Sequence, residues 1–242
     1  MQHSASSPAT DRVPEPASVW EDFLDIFYAP SSVFARREHG SFWIPLLVVT
    51  LAIGILFFVN SGVMDPIMSA EMGRSKAMTD PRITPEMAEQ ARSISSVTGK
   101  IGAVIGLPIT IVCIAFALWL AAKVVGARQT WHAALVVAAY SYVPKILDTL
   151  LMGVQGFLVA PDQLDGQFRL RLGPGRLLDP DTSAPLLVAI VGRVDLFTIW
   201  VTVLLAIGLA VTGRIDRGRA ALAGVLVWVL GAIPFVGAAL LA

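Results

Sequence analysis

The stretch VGRVDLFTIWVTVLLAIGLAVTG, from Val191 to Gly213, constrains this chain more than any other. Its middle is Leu, Ile, Val and Ala, its start holds Arg193 and Asp195, and Arg214, Arg217 and Arg219 follow its end. A single helix of such residues crosses the roughly 30 Å hydrocarbon core of a bilayer. Similar runs recur, and the spans are read near 42-60, 101-122, 132-152, 186-211 and 220-241. In hydrocarbon the backbone must satisfy its own polar groups, which selects helices over open strands. The fold class is therefore all-α: a polytopic membrane protein, a bundle of five transmembrane helices with a short N-terminal amphipathic helix. With 55% hydrophobic and 15% charged residues, the chain falls well below the charged share of a soluble domain, about a quarter.

Residues 1-17 are rich in Ser, Ala, Pro and Thr without apolar periodicity, and are expected to form a disordered tail before a membrane domain at 18-241. No positively charged start precedes a short apolar core, so the first span is expected to target the chain as well. From Ser18, a candidate N-cap, Trp20, Phe23, Leu24, Phe27 and Tyr28 recur at helical spacing, with Glu21, Asp22 and Asp25 on the other side. Such an aromatic stripe suits an interfacial helix; packing against the bundle is the alternative. Pro30 ends it, and a second short helix, 32-38, brings Arg36 and Arg37 to the first span.

Lys and Arg near span ends set orientation. The short links 123-130 (Lys123, Arg128) and 212-219 (Arg214, Arg217, Arg219) are basic, whereas 61-99 and 153-185 balance their arginines with acids. The basic links are assigned to the cytoplasm, placing the amino terminus inside and the carboxyl terminus outside. In 61-99, Met64, Ile67, Met68 and Met72 form one stripe, and Thr84 caps a second helix with Pro85 first. Thioethers suit Cu(I), but Met at helical spacing is read here as packing. In 153-185, Phe168, Leu170 and Leu172 alternate with Arg169 and Arg171, which reads as extended chain before a turn at Gly173 to Gly175; the segment is expected to fold over the outer mouth of the bundle.

Charges within spans are the best functional leads, because each costs a few kcal/mol unless paired or wetted. Lys145 and Asp148 lie three apart in the third span, and Arg193 and Asp195 enter the fourth from the same side. Their depths match, predicting a cross-helix network of Lys145 with Asp195 and Arg193 with Asp148. Tyr140, Ser141 and Pro144 add hydroxyls and a helix break at that level. The functional reading is a proton or ion relay; the structural one, which is favoured, is a satisfied polar clasp. Gly102 and Gly106 form a small-xxx-small pair, read as close packing within the bundle. Gly224, Gly231 and Gly237 with Pro234 suggest a tightly packed, kinked fifth span.

His3, His39 and His132 show no ligand spacing, the single cysteine, Cys113, cannot build a metal site, and no G-x-S-x-G elbow or Walker loop is present. No enzyme activity, metal or cofactor is expected. His132 beside Trp131 is read as an interface anchor. A formal charge of zero and no basic stripe argue against nucleic acid.

AAYSYVPKILDTLL at 138-151 and VDLFTIWVTVLLAIGLAV at 194-211, with LGPGRLLDPDTSAPLL before the latter and FYAPSSVFARREHGSFWIPLL at the entry, resemble bacterial members of the Yip1-domain family of five-span membrane proteins. The resemblance runs from about Trp20 onwards and fades in 61-99. It implies an integral protein of the bacterial inner membrane with no catalytic residues, and signature positions at Asp195, Phe197, Trp200, Tyr140, Ser141 and Pro144. Eukaryotic relatives are associated with Rab GTPases and vesicle traffic, which bacteria lack. The function expected is a non-enzymatic protein that organises membrane or binds a membrane-protein partner or a second copy of itself; the alternative is a small transporter or channel using the polar layer of spans three and four.

Overall fold

The computed structural model describes residues 18–74, 84–160, 163–164 and 166–241; the expected tail at 1-17 lies outside the described residues. Every regular element among them is helical. Among the described residues four stretches are long and apolar enough to cross a membrane, Val104–Val124, Trp131–Leu158, Leu196–Gly213 and Arg217–Leu240, and Trp43–Val59 with Ser61–Gly73, bent by 86°, is a fifth when the pair is taken as one span. The chain is a polytopic helical membrane protein.

Two short helices come first, α1 (Val19–Asp25) and α2 (Pro30–Arg37). Ser18 and Glu21 close a capping box: each side chain bonds the other's backbone N–H, at 3.3 and 2.9 Å. Pro30 does not end α1, which stops at Asp25. It opens α2 at the first helical position, where its missing N–H costs nothing. The pair does not lie along the outside of the bundle. Ile26, Val33 and Phe34 are fully buried in the main core, and α2 packs against α9 (Leu196–Gly213) and α6 (Trp131–Ser141). The interfacial reading of α1 is thus replaced by its alternative, packing, because the acidic face turns inward to meet arginines while Trp20, Leu24 and Tyr28 stay exposed.

The first span, α3 (Trp43–Val59), ends at Asn60, where α4 (Ser61–Gly73) turns sideways. The second is longer than its apolar part. Helix α5 (Pro85–Val124) runs 40 residues without a break, about 60 Å, so nearly half of it extends past the apolar segment. Thr84 caps it, accepting the Met87 N–H at 3.3 Å. The third span is divided at Tyr142 and Val143 into α6 and α7 (Pro144–Leu158), as Pro144 requires. The segment 186-211 is not one helix. Its first part is a separate helix, α8 (Pro185–Val191), and Asp195 caps α9 after a break at 192–195. The last span is α10 (Arg217–Leu230) and α11 (Ile233–Leu241), interrupted at Gly231 and Ala232.

The segment around Phe168 is not extended. Gln167–Leu170 and Pro174–Leu177 are 3-10 turns. A lone strand would leave its backbone polar groups without a partner, whereas the coiled segment buries Leu170 with Val63, Met64, Ile67 and Leu164 in a second small core. This loop covers the end of the bundle, its Leu172 carbonyl accepting the Leu196 N–H at 2.9 Å. Met64 of the methionine stripe serves this packing.

Gly102 and Gly106 do not pack within the bundle. A Cβ at either would meet nothing within 4 Å. The close approaches lie elsewhere: a Cβ at Gly208 would collide with Val137, at Gly153 with Asn60, and at Gly156 with Val63. Gly224 also packs tightly: a Cβ there would lie 3.2 Å from the Ala206 methyl.

Candidate functional site

Two polar centres lie inside the bundle, and each joins residues far apart in the chain. The first is built on Asp22, whose side chain is 0% exposed. Arg36 Nε donates to its Oδ1 at 2.6 Å and Arg37 Nε to its Oδ2; Tyr140, at the end of α6, donates its hydroxyl at 3.1 Å. Arg36 also pairs with Asp25. Around the charges stand aromatic rings. Phe23 lies 5.9 Å from Tyr140, and Phe27 meets Trp200 edge to face at 5.4 Å. Trp200 in turn stacks on Phe197 at 6.2 Å. Trp200 is 13 residues before Gly213, so the turn between α1 and α2 sits about 20 Å up α9 from its basic end. The amino-terminal pair is a wedge inserted between spans.

Neither arginine stood out in the sequence as a partner of Asp22. The signal was present as two acids, Asp22 and Asp25, facing the Arg36 and Arg37 pair across a Pro-opened turn. Ser141 is fully buried beside Tyr140, yet its hydroxyl makes no hydrogen bond among the described residues.

The second centre is built on Asp195, 2% exposed. Its Oδ1 accepts the N–H groups of Phe197 and Thr198 at 3.0 Å each, and its Oδ2 accepts the Thr198 hydroxyl. The carboxylate therefore starts α9, where the helix dipole favours negative charge. Lys145, in the first turn of α7, donates to Asp148 at 3.0 Å and to the Thr198 hydroxyl at 3.3 Å, and lies 3.8 Å from Asp195. Arg171, from the covering loop, reaches Asp195 at 3.8 Å. Arg171 is the member that sequence reading missed, having placed it in extended chain.

Arg193 does not pair with Asp148, which Lys145 already occupies. It turns to the other side, donating to the Trp228 carbonyl at 3.2 Å and lying over the rings of Trp228 and Phe235 at 5.8 and 5.2 Å. The polar layer read from the sequence is thus three arrangements: Tyr140 with Asp22, the Lys145 and Asp195 cluster, and Arg193 with aromatic rings.

The basic end of the bundle is held by short links. Arg128 N–H donates to the Gly213 carbonyl at 3.1 Å, and Gln129 to the Thr212 hydroxyl at 2.8 Å. Arg214 ends α9 in the left-handed region, φ 52°, and reaches Glu38 at 3.6 Å. His132 Nε2 is 2.8 Å from the Gly40 carbonyl, its ring edge-on to Phe42, so it ties the third span to the entry of the first. No group of three or more His, Cys, Asp or Glu among the described residues could hold a metal.

A family model, the Yip1 domain, matches residues 24–238. The chain belongs to the Yip1 domain family. It is also similar to the membrane protein YknW of Bacillus subtilis (strain 168), 26% identical over 193 residues, which cover 79% of this chain and 78% of that protein. No solved structure matches. The matched region of this Yip1 protein includes Arg36, Arg37, Tyr140 and the whole Asp195 cluster, while Asp22 precedes it by two residues.

Proposed function

We propose that this Yip1-family protein is a non-enzymatic component of the bacterial inner membrane that binds a membrane-protein partner or organises its surrounding bilayer. One observation carries the reading: three buried carboxylates, Asp22, Asp148 and Asp195, are closed by cations of the same chain. Asp22 is held by Arg36, Arg37 and Tyr140, and Asp148 and Asp195 by Lys145. A relay needs a group poised to exchange its proton; these groups are locked as clasps joining spans. The basic links share one end of the bundle, which by the positive-inside rule faces the cytoplasm with the amino terminus, leaving the carboxyl terminus outside.

The test is crosslinking in the native membrane followed by mass spectrometry, alongside proton and ion flux in proteoliposomes. A reproducible protein partner, with flux equal to empty liposomes, is expected. Flux that Lys145→Met abolishes while the protein still folds would overturn the reading in favour of a transporter. Orientation is checked with single cysteines in a Cys113→Ser background. Asp181→Cys should react with an impermeant maleimide on spheroplasts and Gly218→Cys should not; the reverse pattern inverts the topology.

A further inference from the structure

We infer that Arg193 and the adjoining groove between α9 and α10 hold one anionic phospholipid, its phosphate on the guanidinium and an acyl chain in the groove. The inference stands apart from the partner-binding reading and shares only its membrane setting. At this end of the bundle the charges of Lys145 and Arg171 are matched by those of Asp148 and Asp195. Arg193 makes no ion pair of this kind among the described residues. No carboxylate lies within 4.0 Å of it among the described residues, and its Nε is buried without a hydrogen bond. An unmatched cation at membrane depth is costly, and the counter-ion a bilayer supplies is phosphate, whose oxygens fit the guanidinium fork.

The groove adjoins Arg193 through Trp228. Trp228, which carries Arg193 on its carbonyl and its ring, is also a wall of an open groove of about 200 Å³ lined by Ile199, Thr202, Val203 and Val225. The helices run in opposite directions, so Ile199 and Trp228 stand at the Arg193 level while Val203 and Val225 lie about one turn deeper. The groove therefore descends from the cation toward the middle of the bilayer, the course an acyl chain takes below its headgroup. Trp228 is placed as an interfacial tryptophan at its head.

The full chain is purified in mild detergent from membranes containing phosphatidylethanolamine and phosphatidylglycerol, and retained lipid is counted by native mass spectrometry. The wild type is expected to keep one phosphatidylglycerol in preference to phosphatidylethanolamine. Arg193→Gln should lower that retention about fivefold, the worth of one basic side chain near anionic lipid. Val203→Trp, which fills the exposed groove and leaves Arg193 in place, should lower it as well and serves if Arg193→Gln does not fold. Retention unchanged in the folded variants, or no preference between the lipids, overturns the inference. Displacement of the lipid by inorganic phosphate, leaving phosphate bound, would overturn the acyl-chain half and leave a bare anion site.

Discussion

Asp22 accepts the hydroxyl of Tyr140 at 3.1 Å, across 118 positions of sequence. The contact fixes the first helix of the described chain to the break in the third span, and with Arg36 and Arg37 it encloses a carboxylate that no solvent reaches. The wedge formed by α1 and α2 is therefore part of the bundle, and the apolar surfaces of α6 and α9 close around it.

Removing that carboxylate should free the wedge. Asp22→Ala removes the buried carboxylate that Arg36 and Arg37 share, and breaking a buried ion pair by deleting one partner costs about 3–5 kcal/mol. Ser18→Ala, which removes only the exposed cap of the same helix, should cost about 1 kcal/mol. Thermal unfolding in detergent ranks the two. A companion cysteine at Phe27, in a Cys113→Ser background, should become reactive to a water-soluble maleimide only with Asp22→Ala. Equal stability of the two variants would show that the wedge is held by its apolar side chains alone.

The wedge also shows where the sequence stopped being legible. Span positions were readable because twenty apolar residues have few physical alternatives, and the breaks at Pro144 and near Pro234 follow from proline's missing N–H. The face that α1 buries was not readable by the usual rule that acids seek water. In a bilayer the choice is between lipid and protein, so Trp20, Leu24 and Tyr28 are left on the outer surface and Asp22 goes inward to arginine. The same reversal misled the reading of glycines. Periodicity identified Gly102 and Gly106, but close approach depends on which helix lies opposite, and that selects Gly153, Gly156 and Gly208. The pairing of Lys145 with Asp195 was anticipated from equal depth, whereas Arg193 left the network because α10 and α11 offered a carbonyl and two ring faces.

The glycine assignment makes a paired prediction. Gly208 faces Val137, a fully buried β-branched side chain on α6 with no room to yield, so Gly208→Leu should destabilise by about 1–3 kcal/mol or more. Gly106→Leu meets open space and removes a poor helix former, so it should be neutral or stabilise by up to about 1 kcal/mol. Unfolding midpoints of the monomer in detergent read both. If Gly106→Leu were the more damaging, that face of α5 would have to be covered by a second molecule.

The edge-to-face contact of Phe27 with Trp200 should be measurable apart from the area the rings bury. A double-mutant cycle with Phe27→Leu and Trp200→Leu is expected to give a coupling of about 0.5–1.5 kcal/mol, the usual value of such an aromatic pair. A coupling near zero would mean that the wedge reaches this depth without depending on Trp200.

Lys145 is the residue on which the clasp and relay readings of the second centre diverge. It is the cation shared by Asp148 and Asp195, and Lys145→Met takes from Asp148 its ion-pair partner while leaving Arg171 near Asp195. Loss of about 3–5 kcal/mol is expected, as for any buried pair broken from one side. Removing the charge from both members reverses the sign of the argument. Lys145→Met with Asp148→Leu exchanges an ion pair for apolar packing, which is often neutral or stabilising, so the double variant should recover most of the lost stability. Asp195 is left untouched because it also caps α9, and its loss would confound pairing with helix initiation. The thermal midpoints of the wild type, the single variant and the double variant decide the matter. Recovery in the double variant means that the charges serve to join α7 to the start of α9; a double variant no better than the single one means that Lys145 is needed for itself, and the flux experiment then becomes the one to pursue.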